Sequence, residues 1–214
     1  LEAELLGRCP ELTLLAPHLP HRFGAVPLRQ LAATLAPLIN ERFGPHTPID
    51  LLGFSMGGLV GRLWLQDHGG AARCRRFVCL GSPMRGTLTA QLVPRALLAG
   101  IADMKLGSPL LRHLDAGMGR LQGVACTSFY CPTELTVVPG WRAVLPLGQR
   151  RALPVWTHRQ LIGHPRALAA VAEPGETILM PAVLGLRAAG AVWDEVQERA
   201  GVPVAEVATV PPSV

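Results

Sequence analysis

The stretch IDLLGFSMGGLVGRLWLQ, residues 49–66, restricts what this chain can fold into more than any other. An apolar run passes through Gly53, Ser55, Gly57 and Gly58 and becomes a pattern with apolar residues at helical spacing. A linker would carry more polar residues and no ordered apolar flanks. A core strand would rarely tolerate three glycines. What remains is a buried strand that turns abruptly into a helix, with a serine at the turn.

The neighbouring segments share this rhythm. Residues 1–6 read as the end of a helix closed by Gly7, and ELTLLAPHL (11–19) as a short buried strand ending at proline. LRQLAATLAPLINERF (28–43) has helical spacing, with Pro37 as a possible kink and Gly44 and Pro45 as its stop. A helix over about 57–68 ends at Gly69 and Gly70, and RRFVCLG (75–81) is another strand. Residues 84–120 break the pattern with prolines, glycines and short helical pieces. Strand signals return in GVACTSFY (123–130) and ALPVWT (152–157), followed by a helix in PRALAAVAE with Pro165 in its first turn. Strands that are apolar rather than alternating indicate a mostly parallel sheet covered by helices on both faces. Beyond Gly175 the sequence suggests a last helix around AAGAVWDEVQERAG and a loose tail. The expected division is therefore residues 1–174 as the main domain and 175–214 as helix and tail.

Composition narrows the function classes. Hydrophobic residues make up 49% and charged residues 16% of 214, which suits one compact domain with a large core. The net charge of +5 comes almost wholly from scattered arginines, Lys105 being the single lysine, and few aromatics stand ready to stack bases. This argues against nucleic acid as a partner. The five cysteines form no CxxC pair and have no histidine at zinc-like spacing. Cys79 and Cys126 read as buried thiols; a Cys126–Cys131 bridge is the alternative, and the odd count of five argues against a disulfide framework. No apolar stretch reaches the length of a membrane-spanning helix, so no stable membrane insertion is expected. The compartment stays open, with a slight lean to the cytoplasm, as does the oligomeric state.

The pattern G-F-S-M-G between strand and helix is a nucleophile elbow, a tight turn that lifts the Ser55 hydroxyl above the sheet edge. The Met56 N–H at the helix start faces the place where negative charge develops on an attacked carbonyl. The alternative, a glycine-rich nucleotide-binding turn, needs G-x-G-x-x-G or GK[ST], and neither occurs. A serine nucleophile requires a base and an acid that orients it. Over residues 116–172 the only carboxylate is Glu134, in the loop after GVACTSFY. Asp103 and Asp115 lie in the irregular insertion and are weaker candidates. His158, directly after ALPVWT, is favoured as the base over His164, which sits before Pro165 where it would cap the following helix. His18, His21, His46, His68 and His113 read as surface or loop residues, with lining of the cleft as the alternative for His18 and His21, whose loop follows a strand on the same sheet edge.

These residues resemble the α/β-hydrolase superfamily, and within it the bacterial lipase and esterase-like proteins of the triacylglycerol lipase type. The similar stretches are GFSMGGLVGRLWLQ, FVCLGSPMRGT, PTELTVVP and VWTHRQLIGHPRAL, in family order over about three quarters of the chain. The resemblance implies an α/β-hydrolase fold with residues 84–120 as a lid or cap, and it supports His158 over His164. It places aspartate where Glu134 stands, so the longer side chain would need a loop set slightly further back. It also implies an earlier strand with an HG-type oxyanion loop. That loop has no counterpart before Ser55, and the sequence, opening on Leu1, reads as lacking its N-terminal strands.

The expected activity is hydrolysis of carboxylic esters, small-molecule or lipid, by Ser55, His158 and Glu134 with Met56 in the oxyanion hole, through an acyl-enzyme and with no metal or organic cofactor. Leu97, Leu98, Leu110 and Leu111 suggest an apolar acyl or alcohol group, unless they pack on the core. Transfer of the acyl group to another acceptor, thioester cleavage, or ligand binding without catalysis are the competing readings.

Overall fold

The computed structural model describes residues 1–8, 10, 12–172 and 182–187. In chain order the elements are α1 (Glu2–Arg8), β1 (Thr13–Leu15), α2 (Leu28–Ala33), α3 (Leu35–Phe43), β2 (Ile49–Phe54), α4 (Met56–Asp67) and β3 (Cys74–Leu80). There follow α5 (Ala99–Asp103), α6 (Pro109–Ala116), β4 (Ala125–Tyr130), β5 (Gln149–Ala152), α7 (Gln160–Gly163), α8 (Pro165–Val171) and β6 (Ala182–Arg187). The strands form one sheet in the order β1-β6-β2-β3-β4-β5, and every neighbouring pair is parallel.

Strand periodicity divides the core in two. On β2 and β3, Ile49, Leu51, Phe77 and Cys79 point to one face and join α2, α3, α4 and α6. Their alternates Leu52, Phe54, Val78 and Leu80 point to the other and join Phe129, Leu161, Ala167 and Val171, the last three from α7 and α8. A strand covered on both sides has no polar face to show, which is why these segments read as continuous apolar runs. Because all strands run parallel, their C-terminal ends share one edge of the sheet, where ligands of open α/β sheets bind. No described helix is long and apolar enough to cross a membrane.

Several elements differ from the sequence expectation. The helix over 28–43 is broken at Thr34, whose hydroxyl donates to the Leu31 carbonyl at 2.8 Å, and Pro37 lies in the first turn of α3, where its missing N–H costs nothing. The last edge strand is QRRA rather than ALPVWT: Pro154 has no N–H for a ladder, and an exposed edge accepts arginines. Strand β6, from a segment expected to hold only helix and tail, sits between β1 and β2, pairing Leu184 with both Leu15 and Leu51. The helix and tail expected over 188–214 lie outside the described residues. Cys126 and Cys131 are free, buried thiols rather than a bridge. Leu110 and Leu111 of α6 belong to the main core instead of covering the site, whereas Leu97 is exposed.

The insertion over 84–120 is anchored by a buried cation. Arg62, in the middle of α4, is fully buried; its Nε donates to Gln66 Oε1 at 3.0 Å and its Nη2 to Asp115 Oδ1 at 2.9 Å. The Gln66 amide in turn donates to the Leu114 carbonyl at 2.9 Å, so α6 and its C-terminal end are tied to α4. Burial pushes the Arg62 pKa down, and the Asp115 hydrogen bond opposes that shift. Arg62→Ala removes this hub and leaves Gln66 Oε1 without its donor. We expect a loss of about 2–4 kcal/mol of stability. Asp115 is half-exposed, so Asp115→Asn should cost under about 1 kcal/mol. Chemical denaturation of both variants checks the contrast, and equal losses would contradict it.

Candidate active site

Ser55 occupies the turn between β2 and α4 with φ 54° and ψ −130°, a positive-φ conformation unusual for a residue with a Cβ. The geometry is held from both sides. The Ser55 N–H donates to the Leu80 carbonyl at 2.9 Å, and its own carbonyl accepts from Gly58 N–H at 3.1 Å. The strand and helix approach so closely that a Cβ on Gly53 would lie 2.5 Å from Gly58 Cα, and one on Gly58 would lie 2.0 Å from Ser82 Oγ. The tight glycine contacts are thus Gly53 and Gly58. Met56 is the first residue of α4, so its N–H lies outside the intrahelical ladder at the positive end of the helix.

Glu134 and His158 meet beside this turn. Glu134, 3% exposed, follows β4, and its Oε2 is in direct contact with His158 Nδ1. No other group among the described residues donates to the Glu134 oxygens, so the imidazole is the carboxylate's one partner there. The loops are drawn together by Cys131, whose thiol donates to the Val155 carbonyl at 2.8 Å, and by Leu153 N–H donating to Tyr130 O at 2.8 Å. The His158 ring lies against Phe54, with centroids 4.7 Å apart and planes at 32°. The ring also approaches Gly81, where a Cβ would come within 2.8 Å of His158 Cε1. Nε2 of His158 makes no hydrogen bond to Ser55 Oγ in this structure; such catalytic bonds commonly tighten only with substrate in place.

Ser55, Met56 and His158 open onto a cavity of about 260 Å³, whose walls include Ala90, Val93, Ile101 and Met104 from the insertion and Val137 from the loop that carries Glu134. A threonine hub fastens those two walls. Thr87 Oγ1 donates to Thr136 O at 3.1 Å and accepts from Val138 N–H at 2.9 Å, while Thr89 Oγ1 donates to Thr136 O at 2.7 Å. Sequence reasoning missed Thr87, although it stands in the FVCLGSPMRGT stretch. The other candidates are employed elsewhere. His164 Nδ1 accepts from Arg166 N–H and caps α8, Asp115 holds Arg62, and Asp103 Oδ2 accepts the Leu28 N–H at the start of α2. Burial raises the Asp103 pKa, opposed by that N–H. Of the two early histidines, His18 is exposed and His21 lines the cavity.

A profile of the family described as "alpha/beta hydrolase fold" matches residues 15–123. No curated protein matches the chain. Among solved structures, Aspergillus fumigatus lipase B aligns with a TM-score of 0.60 at 20% identity, covering 72% of this chain and 43% of that one. The mature form of the Bacillus licheniformis lipase BlEst2 aligns at 0.55 and 15% identity, covering 71% and 74%. The chain therefore spans less than half the length of the Aspergillus lipase. At these identities the likeness is one of fold.

Two outcomes follow from the site's packing. Gly81 has φ +54° as well as the His158 contact, so Gly81→Ala should cost about 1–3 kcal/mol, read from the denaturation midpoint. An unchanged midpoint would contradict the packing described. Burial, and then His18, lower the His21 pKa below its ordinary 6.5. The unfolded chain then binds more protons just below that pH, so this histidine makes stability fall as pH drops below about 6.5. Thermal midpoints between about pH 5 and 7 should flatten in His21→Gln; an unaltered profile would contradict the assignment.

Proposed function

The chain belongs to the α/β-hydrolase fold family, and from that premise we propose that it is a serine hydrolase cleaving carboxylic esters. The observation that carries this reading is the contact between buried Glu134 and His158, set beside the strained Ser55 turn at an apolar cavity. In the proposed reaction Ser55 Oγ attacks the ester carbonyl while His158 Nε2 takes its proton. Glu134 holds the imidazole by Nδ1 and compensates the cation that forms. The Met56 N–H stabilises the tetrahedral oxyanion at the helix start. His158 then protonates the departing alcohol, and a water activated by the same nitrogen releases the acid from the acyl-enzyme. The chemistry needs no metal or organic cofactor.

The cavity volume of about 260 Å³ lies just below the roughly 300–1,000 Å³ common for ligand pockets, which favours short apolar acyl groups. Hydrolysis of p-nitrophenyl esters tests the proposal. Wild-type protein should turn over the butyrate faster than the palmitate, and Ser55→Ala should abolish turnover of both. Glu134→Gln keeps the shape of the acid but removes its charge, and kcat should fall by about 10³–10⁴-fold. Turnover that survives Ser55→Ala would refute the reading.

A further inference from the structure

One large side chain at the cavity adds little to the fold. Phe23 lines the cavity with Ser55 and His158, yet it is 47% exposed. It belongs neither to the buried core clusters nor to the partly buried residues packed against them. Most of what an aromatic side chain contributes to stability comes from burying its ring, and here about half of the residue stays in water. A single exposed apolar residue needs no explanation on its own. The backbone beneath the ring is what sets Phe23 apart.

Phe23 has φ 56° and ψ 27°, the left-handed helical conformation in which a Cβ crowds the following carbonyl and which glycine and asparagine adopt more readily. Arg22 before it (φ 46°) and Gly24 after it (φ 86°) are also at positive φ. The turn is clamped in that shape. The His21 carbonyl accepts from Gly24 N–H at 2.9 Å and from Val26 N–H at 3.2 Å. Helix α5 presses from the other side: a Cβ on Gly24 would lie 2.5 Å from Ile101 Cγ1, and one on Gly100 would lie 2.4 Å from Val26 O. Asp103 at the end of the same helix accepts the Leu28 N–H at 3.1 Å. Ile101 itself lines the cavity, so the turn that carries Phe23 is seated against the cavity wall. Strained backbone over-determined by its surroundings is a frequent mark of functional positions.

We propose that the Phe23 ring is a specificity-determining contact for the apolar chain of the ester, the acyl or alcohol chain that enters the cavity. The inference rests on the ester-hydrolase reading. A chain entering the cavity buries the exposed part of the ring together with its own methylenes, so the contact that the fold leaves unmade is completed by substrate. Each methylene buried in this way is worth about fourfold in binding. The ring therefore sets how steeply kcat/KM rises with chain length. It takes no part in proton transfer, and a loss of the ring changes the ratio between substrates rather than the chemistry they share.

Steady-state hydrolysis by wild type, Ser55→Ala, Phe23→Asn and Phe23→Leu tests the assignment. Asparagine suits the left-handed backbone and removes the apolar contact, whereas leucine keeps an apolar contact on the same backbone. One series compares p-nitrophenyl butyrate with the acetate, and the other compares butyl butyrate with ethyl butyrate by pH titration. In Phe23→Asn the kcat/KM ratio of longer to shorter chain should fall at least about threefold in one of the series. A fall in the first assigns the ring to the acyl chain, and a fall in the second to the alcohol. Phe23→Leu should lose less of that ratio than Phe23→Asn. The thermal midpoint of Phe23→Asn should stay within about 3 °C of wild type or rise above it, because the variant relieves strain and uncovers no core. A ratio altered less than about threefold in both series, a leucine variant as impaired as the asparagine one, or a lower midpoint would overturn the assignment. Wild-type turnover no faster than Ser55→Ala would instead overturn the hydrolase reading, and the inference with it.

Discussion

The close approach of β2 to α4 is the constraint on which the rest of the molecule depends. Ser55 stands in sparsely populated positive-φ backbone at a cost of about 1–3 kcal/mol, and the neighbouring packing has to outweigh that cost. It does so because β2 is buried on both faces, with Ile49 and Leu51 in one core and Leu52 and Phe54 in the other. Missing side chains at Gly53 and Gly58 let strand and helix nearly touch. The same contact reaches Ser82, whose hydroxyl donates to the Gly53 carbonyl at 3.2 Å, so the end of β3 is fixed to the turn. Gly81, one residue earlier, then leaves just enough room for His158. The proposed base is thus positioned by backbone two strands away in sequence and adjacent in space.

Helix α4 transmits this order outward. Met56 to Gln66 are all buried, so the helix is a central rod rather than a surface cover. A buried arginine on such a rod would be costly without partners, and Arg62 finds Gln66 and Asp115. Through them the insertion over 84–120 is pinned to α4 at one end. Near its other end, Thr87 and Thr89 bind it to the loop that carries Glu134. The cavity therefore lies between walls that are each fastened to an element bearing a proposed catalytic residue.

Much of this was legible in the sequence, and the failures have physical causes. Ser55 stood out because glycine spacing and apolar flanks report a local turn, and local turns are written in neighbouring residues. Glu134 emerged because the chain has no other carboxylate over 116–172, an accident of composition rather than a signal of contact. His158 over His164 rested on loop position, and the cap that His164 makes on α8 explains its placement without chemistry. β6 went unrecognised because a short apolar run containing Gly185 carries no periodicity that separates strand from other buried chain. QRRA went unrecognised because an edge strand need not be apolar. Thr87 and the half-exposed ring of Phe23 are visible only once the loops are folded over the sheet edge, since nothing local to either residue marks it.

The central claim is that Ser55 is an activated nucleophile. Its most direct test is reaction with a fluorophosphonate probe, read by intact mass and by mapping the modified peptide. The account predicts one adduct per chain, carried on Ser55 and absent from Ser55→Ala. No adduct on the wild-type protein, or an adduct on another residue, would contradict it.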